Sequence, residues 1–543
     1  MNTIFKIFIA LFFCFSIVNV DGQDSIKKSI NITSSFKPVL KSFVKLGFIG
    51  TSPLPDSSKP RLVYNIPVQQ IYPGLTPVTI KPMAFNPDSL LRWPAANFIK
   101  LGYGNLKTPF ISSAISLLAG KSNIIFSGNH IGSKGKLINQ EYSQTSFDGF
   151  LNTPIAQNVM LDTKIELHQD KYYQYGYNHA LFNLYNENDL LRQYYNISTS
   201  ASIRNTKPTV YGLSYQPKIA FDFFRDNLKN NETNVQVDLP LEKFIGNTFG
   251  LKLGVKADIN NYQPVGIKTI QNFIFTVPIG LLVRTPVFNI KMGITPSWNN
   301  SDYKLLPDIL IDFPVAEEKW IIQAGWISYY NTASYKQLTA LNPFINIPQQ
   351  LLNNRITERY LGFKGTLLNH FSYSTKIGYT EFVNMPLFVN DTISGKSFNI
   401  IFEEQLKAIQ LHGEFGIIEA ERFSMSAKFN WYMFNNLKTA QKAWGLVPME
   451  LSTHLRWRVM QSLWVTSDLF AKDGSLYRNK DGSSGRTPVA IDLNAGLELN
   501  ITKNMLLWGQ FNNILNASYQ RWNQYNNYGF NAVGGIIFKF NRN

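Results

Sequence analysis

"FGLKLGVKADI", Phe249 to Ile259, alternates from end to end. In an extended chain Phe249, Leu251, Leu253, Val255, Ala257 and Ile259 share one face, and Lys252, Lys256 and Asp258 share the other. That period of two is the signature of a β-strand. "RFSMSAKFNWYMF" repeats it, with Phe423, Met425, Ala427, Phe429, Trp431 and Met433 opposite Ser424, Ser426, Lys428 and Asn430. "MELSTHLRWRV" and "VAIDLNAGLELNI" follow the same rule. Soluble strands average about five or six residues, whereas these runs reach ten or more. A strand that crosses a membrane needs roughly 9–11 residues. A soluble sandwich would bury the apolar face against a second sheet, and a propeller would show a blade repeat. A membrane barrel satisfies both faces, with lipid outside and water inside, and closure removes the sheet edges.

The connections point the same way. Very short turns around Thr285, Asn369, Ala420 and Lys503 alternate with long polar stretches at 186–189, 331–354, 391–396, 472–486 and 517–527. Short periplasmic turns and longer outer loops are the habit of outer-membrane barrels. Upward strands are expected from about 95, 120, 156, 206, 248, 285, 319, 370, 421, 462 and 503. Downward strands are expected from about 107, 139, 190, 232, 268, 304, 353, 397, 447, 486 and 526. The fold class is therefore all-β, a transmembrane antiparallel β-barrel of about 22 strands.

Three regions are expected in a chain of 543 residues. Residues 1–22 read as a cleaved signal peptide, with Lys6 before an apolar core from Ile7 to Val18 and small residues Val20 and Gly22 before Gln23. Cys14, the only cysteine, lies inside it, so the mature chain must be held by something other than disulfides. Residues 23–94 hold ten prolines, which exclude continuous helix, and read as a basic arm, periplasmic or docked in the lumen. Residues 95–543 are the barrel. The net charge of +16 suits anionic lipid headgroups or acidic ligands. Nucleic acid is a poor partner for an exported chain. Mean hydropathy of −0.12 excludes a bundle of membrane helices.

The end of the chain carries a resemblance. "LLWGQFNNILNASYQRWNQYNNYGFNAVGGIIFKF", Leu506 to Phe540, resembles the last hairpin of TonB-dependent receptors of the Bacteroidota. Asn513, Ile514, Leu515, Asn516, Tyr519 and Trp522 match the end of their penultimate strand. Gly535, Phe538 and Phe540 are similar to the closing-strand signal read by the barrel-assembly machinery. "FIKLGYGNLKTPF" and the stretch from His130 to Gly135 resemble plugless relatives. The resemblance implies an outer-membrane barrel in contact with lipid and lipopolysaccharide, passing solutes or nutrients, with TonB or an envelope protein as partner. Only residues 23–94 precede the barrel, with no plug-like pattern and no TonB box, so a full plug is not expected. The alternative is a non-transporting scaffold or assembly component of a larger outer-membrane complex. The lumen is expected to be closed by the arm, by a partner protein or by long loops, since barrels of this size are normally plugged.

No enzyme, cofactor or metal site is expected. His412 and His454 share the polar face but lack metal-ligand spacing, and there is no Gly-x-Ser-x-Gly elbow. Lys252, Lys256, Lys376, Lys428, Arg456 and Arg458 are the basic residues expected to line the lumen. A basic lumen would favour anionic solutes. Trp431, Trp457, Trp508 and Trp522 are expected to form an interfacial aromatic girdle. Ile536, Phe538 and Phe540 should face lipid on the strand that closes the barrel near Ile99 to Tyr103.

Overall fold

The computed structural model describes residues 97–540, apart from 178–184, 247, 317–318, 368–369, 392–393, 420–421 and 480. The signal peptide, the proline-rich arm and the turn centres at Asn369 and Ala420 lie outside the described residues. Alternation is realised from one end of the barrel to the other. The first strand, Asn97–Gly104, pairs antiparallel with the last, Asn531–Phe540, with Ile99 opposite Phe538 and Leu101 opposite Ile536. Every other barrel pairing is antiparallel as well, so the sheet closes into a ring of 22 strands.

Two of these strands are drawn in two pieces. Leu213–Tyr215 and Lys218–Asp226 are separated at Pro217, and Ile270–Thr276 and Ile279–Arg284 at Pro278. Proline has no N–H for the ladder. Its carbonyl still serves: Ile203 N donates to Pro217 O at 3.0 Å, and Gly254 N to Pro278 O at 2.9 Å. Tight turns place Gly120, Asn158 and Gly246 at positive φ, which glycine and asparagine tolerate best.

Two expected strand starts move. The strand expected from about 206 begins at Leu213, because residues 206–212 turn first. The strand expected from about 397 begins at Leu406. Phe398–Glu403 instead pairs with Met385–Asn390 in a separate two-stranded sheet within an outer loop. Both segments are apolar enough to alternate like barrel strands, and only tertiary pairing tells them apart.

The outer face carries the apolar residues. Phe249, Leu251, Leu253, Ile259, Ile491, Leu497, Leu499, Ile536, Phe538 and Phe540 are all exposed on it. Along the seam between first and last strands the inner face also holds buried apolar side chains, Phe98, Phe110, Leu506, Trp508, Val533 and Ile537. No described helix is long and apolar enough to cross a membrane.

Candidate functional site

Period two continues to the outer rim, where long loops turn inward over the mouth. The loop from 332 to 353 contributes the helix Tyr335–Leu341, capped by Ser334 Oγ, which accepts from Gln337 N at 3.1 Å. Glu232, 2% exposed on the barrel wall, accepts from the N–H groups of Tyr335 and Lys336 at the helix start. A carboxylate is stabilising there because the first N–H groups of a helix have no internal partner. Tyr335 Oη donates to Asp226 at 2.7 Å, and Lys336 Nζ donates to Asp222 at 2.5 Å. Tyr194 Oη donates to Pro343 O at 2.7 Å and delivers Phe344 to the centre of the mouth.

The loop from 384 to 405 is the hairpin of Met385–Asn390 and Phe398–Glu403. Phe398 N donates to Phe344 O at 3.0 Å, and Asn346 N returns a bond to Phe398 O at 2.8 Å. Glu403 is fully buried and accepts from the N–H groups of Lys438, Thr439 and Ala440 at 2.6–2.7 Å. It thereby fixes the loop from 436 to 448. Gly445 N donates to Leu476 O at 2.9 Å and ties in the loop from 473 to 489.

The loop from 513 to 530 completes the arrangement. Trp522 packs edge-on against Phe388 at 5.1 Å and against Phe398 at 5.3 Å. The Arg521 guanidinium lies 4.0 Å over the Trp522 ring and donates to Gly445 O at 3.1 Å. Burial pushes Arg521 down to about 10, with Glu450 opposing, so it stays charged at neutral pH. Tyr525 donates to Lys396 O.

The rings that meet at the centre come from three separate sectors. Phe344 stacks on Tyr525 at 3.7 Å, Tyr175 meets Tyr525 at 4.9 Å, and Tyr175 meets Phe344 at 6.2 Å. Their loops precede the sixth, fourteenth and twenty-second strands, so they are spaced by about a third of the circumference. Loops so placed can touch only across the mouth. The result is a buried aromatic cap rather than a solvated fringe of loops. Aromatic pairs in these geometries add about 0.5–1.5 kcal/mol each beyond area burial.

The barrel fold is shared with proteins of known structure. The fold is that of the siderophore-receptor barrels. The chain is similar to the FrpB iron transporter from Neisseria meningitidis at 11% identity, covering 84% of this chain and 83% of that one, with a TM-score of 0.65. It is similar to the siderophore receptor PirA from Acinetobacter baumannii at 9% identity, covering 82% and 80%, with a TM-score of 0.61. The ferric enterobactin receptor PfeA from Pseudomonas aeruginosa gives 10%, 82% and 81%, with a TM-score of 0.61. No family model matches the sequence, and no curated protein matches it. At these identities the likeness is one of fold.

The residues expected from sequence scatter over this siderophore-receptor-like barrel. Lys252 Nζ lies 3.3 Å from Glu242, Lys256 2.8 Å from Asp238, and Lys428 3.5 Å from Glu414. Lys376 sits 4.7 Å over the Tyr360 ring. Arg456 and Arg458 lie over the Trp464 ring at 4.3 and 5.8 Å, near the periplasmic end. Much of the expected basic lining is thus met by carboxylates and rings on neighbouring strands. His412 meets Asn430 at 2.7 Å and Glu414 at 3.3 Å, and His454 meets Asp468 at 2.6 Å. These are separate wall contacts, within one strand for His412 with Glu414 and between adjacent strands for the others.

The girdle expectation needs correction at two positions. Trp431 and Trp457 share the outward parity of their strands, and Trp457 is exposed. Trp508 is 5% exposed and faces inward, with its Nε1–H donating to Leu101 O at 3.1 Å. Lys100 Nζ lies 4.1 Å over its ring. Trp522 is 4% exposed inside the cap. Neither ring reaches the headgroup layer. An indole in an outer-membrane chain is no more bound to the interface than one in a soluble core, provided its N–H or its face finds a partner.

Gly535 has a steric reason in the fold. A Cβ there would stand 1.9 Å from Leu101 O and 2.6 Å from Gly102 Cα, so the closing strands approach too closely for any side chain. Sequence reasoning missed Tyr175, Phe344, Phe388, Phe398 and Trp444. The available signal was aromatic density near the outer strand ends, as in "YYQYGYN" and "RWNQYNNYG".

Proposed function

We propose that this barrel passes a scarce solute across the outer membrane, its outer mouth closed at rest by the aromatic cap. The observation that carries the reading is the contact of Tyr175, Phe344 and Tyr525 across the mouth of a siderophore-receptor-like barrel. A wide barrel left open would leak, and loops that only bound a surface partner would have no reason to meet at the centre. The solved neighbours are iron and siderophore receptors by name, so iron–siderophore complexes are the first substrate class to test here. TonB or another envelope protein would supply the energy from the periplasmic side. Affiliation with the Bacteroidota receptors and the reduction of the plug to residues 23–94 belong to the same proposal.

Deleting the gene product should slow growth on at least one limiting nutrient, with the defect reproduced by loss of TonB. Unchanged uptake across a panel of iron–siderophores and other limiting nutrients would reject passage. Stoichiometric envelope partners on the purified barrel, together with that result, would turn the reading toward a scaffold.

A further inference from the structure

At the periplasmic end the strand register sets two arginines face to face. Trp457 of the strand Met449–Met460 pairs with Phe423 of the strand Phe423–Asn435, and Trp457 is exposed on the outward side. The next position toward the rim on each chain therefore has the opposite parity and belongs to the lumen side. Those positions are Arg458 and Arg422, joined by a bond from Arg458 N to Arg422 O at 2.7 Å. Like charges directly opposite one another destabilise a sheet. The acid on the same row is engaged elsewhere: Glu498, opposite Trp464, pairs with Lys100 at 3.6 Å. Neither Arg422 nor Arg458 forms an ion pair among the described residues.

The Arg458 guanidinium is held in place without being satisfied. It lies 5.8 Å from the centre of the Trp464 ring, and Nη2 donates to Gln461 O at 3.1 Å. Its Nε is buried and makes no hydrogen bond within the protein. A buried charged donor without an acceptor is unfavourable. Beside it is a cavity of about 410 Å³, lined by the two arginines with Val459, Met460 and Gln461 of the turn. That lies within the roughly 300–1,000 Å³ typical of small-ligand sites. The register slips here, since Arg458 pairs with Trp464 and Met460 with Leu463. Val459 is the extra residue, and such a bulge bends the strand and re-aims its side chains.

We propose that this cavity is an oxyanion site at the periplasmic end of the lumen, taking a carboxylate or phosphate group of a small anionic solute as it leaves the barrel. The proposal rests on the reading of the barrel as a conduit. Guanidinium groups pair with such oxygens through charge-assisted, often parallel N–H bonds. An oxyanion between Arg422 and Arg458 replaces their repulsion with two attractions and gives Arg458 Nε its acceptor. Arg456, one row deeper in the lumen, lies 4.3 Å over the same Trp464 ring and extends the positive lining inward. Residues 23–94 carry nine basic side chains against three acidic ones, so the arm has the wrong sign to fill this site.

The test is isothermal titration calorimetry of the full chain in detergent at low ionic strength. The probes are citrate, its neutral triethyl ester, inorganic phosphate and hexaglutamate. Citrate and phosphate should bind and the ester should not. Arg422→Gln with Arg458→Gln should weaken both by tenfold or more. Lys503→Gln, at another exposed periplasmic turn, should leave both unchanged. Heat-modifiable gel mobility verifies that each variant is folded. Equal binding by the double variant, or no binding by the parent chain, overturns the site. Hexaglutamate held tenfold more tightly than citrate, and only when both arginines are present, overturns the solute assignment in favour of an acidic segment of a periplasmic protein. Uptake is measured apart from this titration: lost binding with intact uptake removes the site alone, and intact binding without uptake removes passage alone.

Discussion

Gly535 shows how one position can serve two ends. It belongs to the closing-strand pattern with Phe538 and Phe540, and it also lets the last strand lie against Leu101 and Gly102. Its neighbour Trp508 covers the inner side of the same seam, and a Cβ at Gly102 would stand 2.4 Å from that ring. Gly535→Val should therefore prevent closure, because the obstruction is backbone carbonyl rather than a side chain that can swing away. Gly509→Ala is the matched control: the nearest atoms are the Phe511 ring at 3.8 Å. Folded barrel, read as the fast-migrating band in unheated gels, should be lost in the first variant and kept in the second. A normal folded band for Gly535→Val would show that the close approach at Leu101 and Gly102 is not required for closure. The buried arginine of the cap teaches a related lesson. Arg521 is lowered by burial yet remains charged near neutral pH, so the cap is not expected to respond to ordinary pH change through this residue.

At the scale of the element, the loops behave as a core. Four outer loops share the buried cluster of Phe344, Phe388, Phe398, Trp444, Trp522 and Tyr525, tied by Glu403 and by short β-bridges such as Ile345 to Phe398. Truncating a buried aromatic to alanine costs about 3–5 kcal/mol. Phe344→Ala with Tyr525→Ala should thus raise the open population of the cap by more than tenfold. The mature chain is expected to lack cysteine, so Ser452→Cys on the inner face gives a clean reporter. Its labelling by an impermeant maleimide added to whole cells should accelerate by about that factor in the double variant. Unchanged labelling would mean that the three rings do not close the mouth. The strands themselves were legible in sequence because alternation over ten residues has no other stable use, and the alternation of turn lengths gave their direction. The cap was not legible. Its residues show no period, and whether Phe398 starts a barrel strand or a loop hairpin is decided by its pairing with Asn390 and by Phe344, a remote partner that local pattern cannot encode. Trp508 and Trp522 were misplaced for the same reason, since an aromatic ring near a strand end is at home at an interface or in a packed core.

For the whole molecule, the cap changes what the proline-rich arm can be asked to do. Two barriers in the same conduit act in series, so conductance follows the narrower one and opening either alone reveals little. Residues 23–94 are proposed as a reduced plug, a second barrier in addition to the cap. Deleting the arm should leave planar-bilayer conductance low, because Tyr175, Phe344 and Tyr525 still meet across the mouth. Adding Phe344→Ala and Tyr525→Ala to the deletion should produce a large, steady pore. The cap variant that keeps the arm should stay well below that level. A large pore from the arm deletion alone would show that the cap is permeable and the arm is the sole barrier. An equally large pore from the cap variant alone would show that the arm does not obstruct the lumen. The order of the three conductances therefore assigns closure to the outer loops, to the arm or to both, and the single-barrier outcomes each remove one of the two from the path.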